Sequence, residues 1–266
     1  MILDKYNRRV DAVNSLLCIG LDSDFEKLPA EFKQKQFPQF EFNKWIIDQT
    51  SEFAAAFKPN IAFYEARGEA GIHELKMTMD YLREQCPDIV TICDCKRADI
   101  GNTNQGYVTS LFDWFGFDAV TLHPYVGKEA LKPFLDRADK ACIILCRTSN
   151  PGAGELQDLI MGDKPLWQIV AEKVSNEWND NRNCMLVVGA TYPEEMKTIR
   201  AVVGDMTLLV PGVGAQGGDV RSAVASGINA AGKGIMISSS RDIIFSGDPR
   251  AAALKLRDQI NDVRKL

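Results

Sequence analysis

The sequence contains no apolar run approaching the ~20 residues that a membrane-spanning helix needs. Its first residues, Met1-Ile2-Leu3-Asp4-Lys5, lack the basic segment followed by an apolar one that marks a secretory signal. Basic residues do not predominate. With 31 Lys and Arg against 36 Asp and Glu, the formal net charge is −5, which gives no electrostatic footprint for a nucleic-acid partner. Histidine is scarce, being limited to His73 and His123, and the seven cysteines form no Cys-x-x-Cys knuckle. A structural zinc site therefore has no ligands at the required spacing. We expect His73 on a solvated helix face and His123, at a strand end, in a structural role. Six of the cysteines (Cys18, Cys93, Cys95, Cys142, Cys146 and Cys184) fall in strand-like segments, where a free thiol serves as a small buried hydrophobe. The odd total of seven, with six placed in strands, points to a reducing, cytoplasmic setting. No Gly-x-Gly-x-x-Gly turn follows the first strand-like segment, which disfavours an open dinucleotide-binding sheet.

What is present is periodic. Hydrophobic residues make up 45% of the chain, enough to fill a sizeable core. Eight short apolar segments recur: Leu16–Asp22, Ala54–Asn60, Ile89–Lys96, Ala119–His123, Cys142–Ser149, Cys184–Thr191, Thr207–Gly214 and Gly234–Arg241. Between them lie stretches with helical spacing, such as Ile72, Leu75, Met79 and Leu82. Strand and helix alternating eight times predict an α/β fold, a single-domain (β/α)8 TIM barrel spanning residues 1–266. The segment Gly152–Pro165 exceeds a minimal connection and is expected to form a lid or an interface element.

Polar residues gather where these strands end, on the face where such barrels carry their sites. Asp22 ends the first, Lys58 and Asn60 the second, Asp94 and Lys96 the third, and Thr148 and Ser149 the fifth. Pro211 lies in the seventh, Gln216 follows it in a glycine-rich stretch, and Ser240 and Arg241 close the eighth. The densest cluster is Asp94-Cys95-Lys96-Arg97-Ala98-Asp99. Strand side chains alternate with period two, so Asp94 and Lys96 point to one side. The run Gly212-Val213-Gly214-Ala215-Gln216-Gly217-Gly218 would let backbone amides approach an anion closely, and Arg241 offers a planar fork of donors for phosphate oxygens.

Six motifs in order, Gly20-Leu21-Asp22, Phe57-Lys58-Pro59-Asn60, Asp94-x-Lys96-x-x-Asp99, Thr148-Ser149-Asn150-Pro151-Gly152, Pro211-Gly212-Val213-Gly214-Ala215-Gln216 and Ser239-Ser240-Arg241, resemble the longer-chain branch of the orotidine 5′-phosphate decarboxylases. The resemblance covers essentially the whole chain. It implies conversion of orotidine 5′-phosphate to UMP and CO2, the last step of pyrimidine synthesis, with no metal and no organic cofactor. By the same resemblance Lys96 protonates pyrimidine C6, Asp94 faces the departing carboxylate, and Lys58 and Asp99 complete an alternating charge array. Asp22 and Lys58 hold ribose hydroxyls with Asn60 close by. Ser149 and Thr148 contact the pyrimidine, and Gln216 and Arg241, with Pro211 and Ser240 beside them, take the phosphate end. Asp99 and Thr103 are lent to the neighbouring subunit of a homodimer. Many family members carry Gly before the phosphate-binding arginine, where this chain has Ser240. We expect little loss from that exchange unless the position needs a positive φ.

The residue types suit this chemistry independently of the resemblance. Loss of CO2 leaves a carbanion on a ring with no electron sink at that carbon, and a fixed cation in a site that excludes water stabilises it. Two flanking lysines keep Asp94 ionised by opposite-charge stabilisation. Two alternatives remain from sequence. One is a Mg2+-dependent sugar-phosphate decarboxylase or synthase of the same superfamily, which needs further carboxylates at neighbouring strand ends. The other is a non-catalytic phosphate-binding barrel.

Overall fold

Eight parallel strands close into a barrel in the computed structural model, which describes residues 1–213 and 217–264. The barrel strands are β1 (Leu17–Gly20), β2 (Ala56–Lys58), β3 (Val90–Arg97), β4 (Ala119–Leu122), β5 (Ala141–Arg147), β8 (Cys184–Val188), β9 (Leu208–Val210) and β10 (Ile235–Ser239). They pair in that order, with β10 returning to β1. These are the eight apolar segments, and the reason they are continuously apolar is that helices cover their outer faces while side chains fill the inside. β1, β4, β8, β9 and β10 are buried along their whole length. Helix Gly68–Gln85, between β2 and β3, buries Leu75, Met79 and Leu82 as the spacing predicts, and His73 lies on its exposed side.

Two details differ from the sequence reading. β6 (Ile160–Met161) and β7 (Lys164–Pro165) form a small antiparallel hairpin in the segment after β5, outside the barrel. The barrel strands are also shorter than the apolar patterning suggested. Asp22, Asn60, Ser149, Thr191 and Arg241 lie beyond the last residues of their strands, and Arg241 instead opens a short helix, Arg241–Ile244. The continuous ladders end at this rim, Asn60 keeping only an isolated bridge to Asp94, so polar residues there belong to loops although they continue an apolar run.

The opposite end of the barrel is covered by helix Ile2–Val13. Tyr6 donates its hydroxyl proton to the carbonyl of Ile235 at 2.6 Å, and Arg9 Nε donates to the carbonyl of Ala54 at 3.0 Å. All seven cysteines are free and buried. Burial pushes the thiols of Cys18, Cys146 and Cys184 up to about 12, so they stay protonated and unreactive at neutral pH. Among the described residues no helix is long and apolar enough to cross a membrane.

Candidate active site

A cavity of about 460 Å³ opens among the loops at the C-terminal ends of the strands. Asp22, Lys58 and Asn60 enter it from the first two strands, and Asp94 and Lys96 from β3. Thr148 and Ser149 line it from the β5 loop, Pro211 from the β9 loop, and Ser240 and Arg241 from the β10 loop. Residues scattered over 220 positions of sequence thus meet because every strand points its C-terminal end at one rim.

The floor of the cavity is a carboxylate clamped between two ammonium groups. Lys58 Nζ donates to Asp94 Oδ2 at 3.0 Å and Lys96 Nζ donates to Asp94 Oδ1 at 2.6 Å. The Lys58 and Asp94 side chains are only 6% and 13% exposed, whereas Lys96 is 49% exposed to the cavity. Burial by itself would raise the pKa of Asp94, but the charges of Lys58 and Lys96 outweigh it and hold the carboxyl well below its ordinary range. Burial likewise works against the Lys58 ammonium, and the nearby Asp94 and Asp22 carboxylates reverse that and raise its pKa. Asp94 and Lys58 are therefore both charged at neutral pH, and Lys96 is the member most open to a ligand.

β3 does not run straight through this array. Its pairing with β4 matches Cys93 to Val120 and Arg97 to Leu122, so Asp94, Cys95 and Lys96 together oppose the single residue Thr121. Lys96 sits in the left-handed region at φ 45°, a conformation costing a non-glycine residue ~1–3 kcal/mol and found where surrounding structure enforces it. The simple alternation expected for Asp94 and Lys96 is thus replaced by a bulge, although both side chains do reach the same cavity.

The rest of the cavity is built for polar contact. Asp22 Oδ1 is buried there with no hydrogen-bond partner among the described residues, a vacancy that a ligand hydroxyl would fill. The loops pack closely enough to dictate two glycines. A Cβ on Gly20 would lie 2.7 Å from the Cβ of Ser240, and one on Gly189 would lie 2.8 Å from the Cβ of Ser149. Ser240 has φ −126°, so the residue before Arg241 does not need glycine in this chain.

Two expected residues do not line this cavity, and a third, Gln216, lies outside the described residues. Asp99 and Thr103 sit past β3 and do not line this cavity, and Thr103 is exposed. Helix Gly101–Val108 begins after Asp99, so helical spacing does not put the two on one face. Asp99 instead leads into the helix: its Oδ1 accepts from the Ile100 amide at 2.7 Å, while buried Asn104 accepts from the Asp99 amide at 2.9 Å. His123 is half-buried and not among the residues lining the cavity; its amide donates to the Arg97 carbonyl at 3.3 Å.

Thr121 and Gln157 are among the lining residues that the sequence did not single out. Thr121 comes from β4, hidden as one polar residue within the apolar run Ala119–Leu122. Gln157 comes from the segment after β5 and grips Thr148, accepting from its amide at 2.9 Å and donating to its hydroxyl at 2.8 Å. Buried Arg147 braces this segment from below, bonding Asp158 at 3.2 Å and stacking on Tyr192. The length of that connection was the available signal for Gln157.

Among the described residues no group of three or more His, Cys, Asp or Glu is arranged to hold a metal. A model of the orotidine 5′-phosphate decarboxylase / HUMPS family matches residues 15–256. An orotidine 5′-phosphate decarboxylase from Cellvibrio japonicus is 50% identical over 260 residues, covering 94% of this chain and 94% of its own. One from a Janthinobacterium species is 48% identical over 92% of each chain. The solved OMP decarboxylase of Leishmania donovani superposes with a TM-score of 0.89 at 38% identity, covering 99% of both chains.

Proposed function

The chain belongs to the orotidine 5′-phosphate decarboxylase / HUMPS family and decarboxylates orotidine 5′-phosphate to UMP in pyrimidine biosynthesis; we propose that it does so without metal or organic cofactor, with Lys96 as the proton donor to C6. The observation that carries this reading is the Lys58–Asp94–Lys96 array, with contacts of 3.0 and 2.6 Å at the floor of the cavity.

The substrate carboxylate lies against Asp94, where like charge disfavours it. As the C6–carboxylate bond breaks, its electron pair stays on C6 and CO2 leaves. The Lys96 ammonium stabilises the developing charge and then transfers one proton to C6, becoming a neutral amine that solvent reprotonates. A preorganised cation offsets charge without reorganising at the moment of reaction. Asp22, with its unpartnered Oδ1, and Lys58 hold the ribose hydroxyls, with Asn60 alongside. Ser149 and Thr148 contact the pyrimidine. Arg241 and Gln216, with Pro211 and Ser240 beside them, hold the phosphate, in keeping with the anion sites that barrels build after their last two strands.

Asp99 and Thr103 act in the site of a second copy within a homodimer. The exposure of Thr103, together with that of Ile100 and Tyr125 on the loops after β3 and β4, favours such a contact. Residues 1–266 work as one catalytic unit in the cytoplasm. The Mg2+-dependent alternative is disfavoured by the donor set: β2 presents Lys58 where a carboxylate would be needed. The deciding experiment mixes purified protein with orotidine 5′-phosphate in EDTA and follows the ultraviolet spectrum. We expect the orotate absorbance to disappear at full rate. Persistence in EDTA with recovery on adding Mg2+ would overturn cofactor independence.

A further inference from the structure

We propose that Thr121 is a positioning residue of this active site, whose single hydroxyl builds the β3 bulge and fixes both Asp94 and Lys96. In the register of β3 and β4, Cys93 faces Val120 and Arg97 faces Leu122, which leaves three residues opposite Thr121. An ordinary ladder has no carbonyl acceptors for the surplus amides of such a bulge. Here Thr121 Oγ1 accepts from the Cys95 amide at 3.0 Å and from the Lys96 amide at 2.9 Å. It donates its own proton to Asp94 Oδ1 at 3.0 Å. A hydroxyl offers one proton and two lone pairs, so its capacity is used completely.

Two catalytic features depend on these three bonds. The first is the backbone of Lys96, held at φ 45° with its amide committed to Thr121. That commitment sets where the ammonium emerges. The second is the carboxylate of Asp94. Lys96 and Thr121 both donate to Oδ1 and Lys58 donates to Oδ2, so its rotation is blocked from both sides. Thr121 is 1% exposed, which limits the ability of water to replace the hydroxyl. Only serine among the other residues supplies the same donor and acceptors from the same carbon. Valine has the same shape and none of the bonds.

This inference rests on Lys96 being the proton donor, and the experiment separates the two. Thr121→Val, Thr121→Ser and Lys96→Ala are compared for kcat, KM and the Kd of UMP. Misplacing a reacting group by about 1 Å can cost ~10²-fold, so Thr121→Val should lower kcat roughly 100-fold while the Kd of UMP stays within about threefold. Thr121→Ser should recover kcat to within about fivefold of wild type. If Thr121→Val does not fold, Thr121→Ala takes its place, with an expected fall of at least ~10-fold because a water satisfies the amides less rigidly. The inference is overturned if the hydroxyl-free variant keeps kcat within threefold, if Thr121→Ser is equally impaired, or if kcat and UMP affinity fall in parallel. Substantial activity in Lys96→Ala would instead sink the underlying assignment of the proton donor.

Discussion

Replacing Asp94 with Asn tests whether its charge, rather than its shape, holds the site together. Asparagine keeps the volume but removes the anion that faces Lys58 at 3.0 Å and Lys96 at 2.6 Å. Lys96 is half exposed and can turn to solvent, so its loss counts for little. Lys58 is buried, with a side chain 6% exposed. Removing one partner of a buried ion pair costs ~3–5 kcal/mol, because the other charge is left uncompensated. Asp22 still acts on Lys58, so we place the loss at the lower end, about 3 kcal/mol at pH 7. The sign of the pH dependence follows from the direction of the shift. The native carboxyl titrates below its unfolded value, ~3.9 for an aspartate. Its stabilisation is therefore complete above about pH 5 and is lost as pH falls toward the native value. The difference between wild type and Asp94→Asn should shrink by about 1 kcal/mol by pH 3. Urea unfolding followed by circular dichroism at pH 7, 5 and 3 measures both quantities. A variant as stable as wild type at pH 7, or a difference unchanged down to pH 3, would refute the reasoning.

The remaining predictions concern the ends of the site. Arg241→Ala should weaken UMP by about 2–4 kcal/mol, the loss expected for charge-assisted hydrogen bonds, while barely changing uridine; calorimetry showing equal effects on both would move Arg241 away from the phosphate. Turnover should fall together with affinity, because binding energy from the phosphate also lowers the barrier. Mixing inactive Lys96→Ala subunits with inactive Asp99→Ala subunits should restore up to roughly a quarter of wild-type activity, because each mixed dimer contains one intact composite site. No recovery after exchange verified by mass would place Asp99 in its own subunit's chemistry.

How much of this could be seen in the sequence depends on how local each cause is. The barrel was legible because its strands are buried on both faces, which forces apolar runs such as Ala119–Leu122 and Cys184–Val188. Asp22, Lys58, Asp94 and Lys96 were legible as charges standing at the ends of such runs. The bulge in β3 was not, since it arises from a register shift against Thr121 on another strand, and nothing in Asp94-Cys95-Lys96 encodes its partner. Strand limits were overextended because the ladders give way to loops at this rim: Asn60 keeps only an isolated bridge to Asp94, and Arg241 opens a helix. Gln157 reaches the cavity only because Arg147 and Tyr192 brace its segment, an arrangement spread over three loops. The tie between Asn104 and the Asp99 backbone, which secures the start of helix Gly101–Val108, was likewise not legible.

The most direct test of the account is the turnover of Lys96→Ala on orotidine 5′-phosphate. Lys96 is half exposed at the cavity floor and carries little packing, so the variant should fold and still bind UMP. Loss of general-acid catalysis alone is worth ~10²–10⁴-fold, and loss of the fixed charge beside C6 adds to it. We predict turnover below about a hundredth of wild type. A folded Lys96→Ala enzyme retaining more than about a tenth of wild-type turnover would contradict the proposal that Lys96 donates the proton.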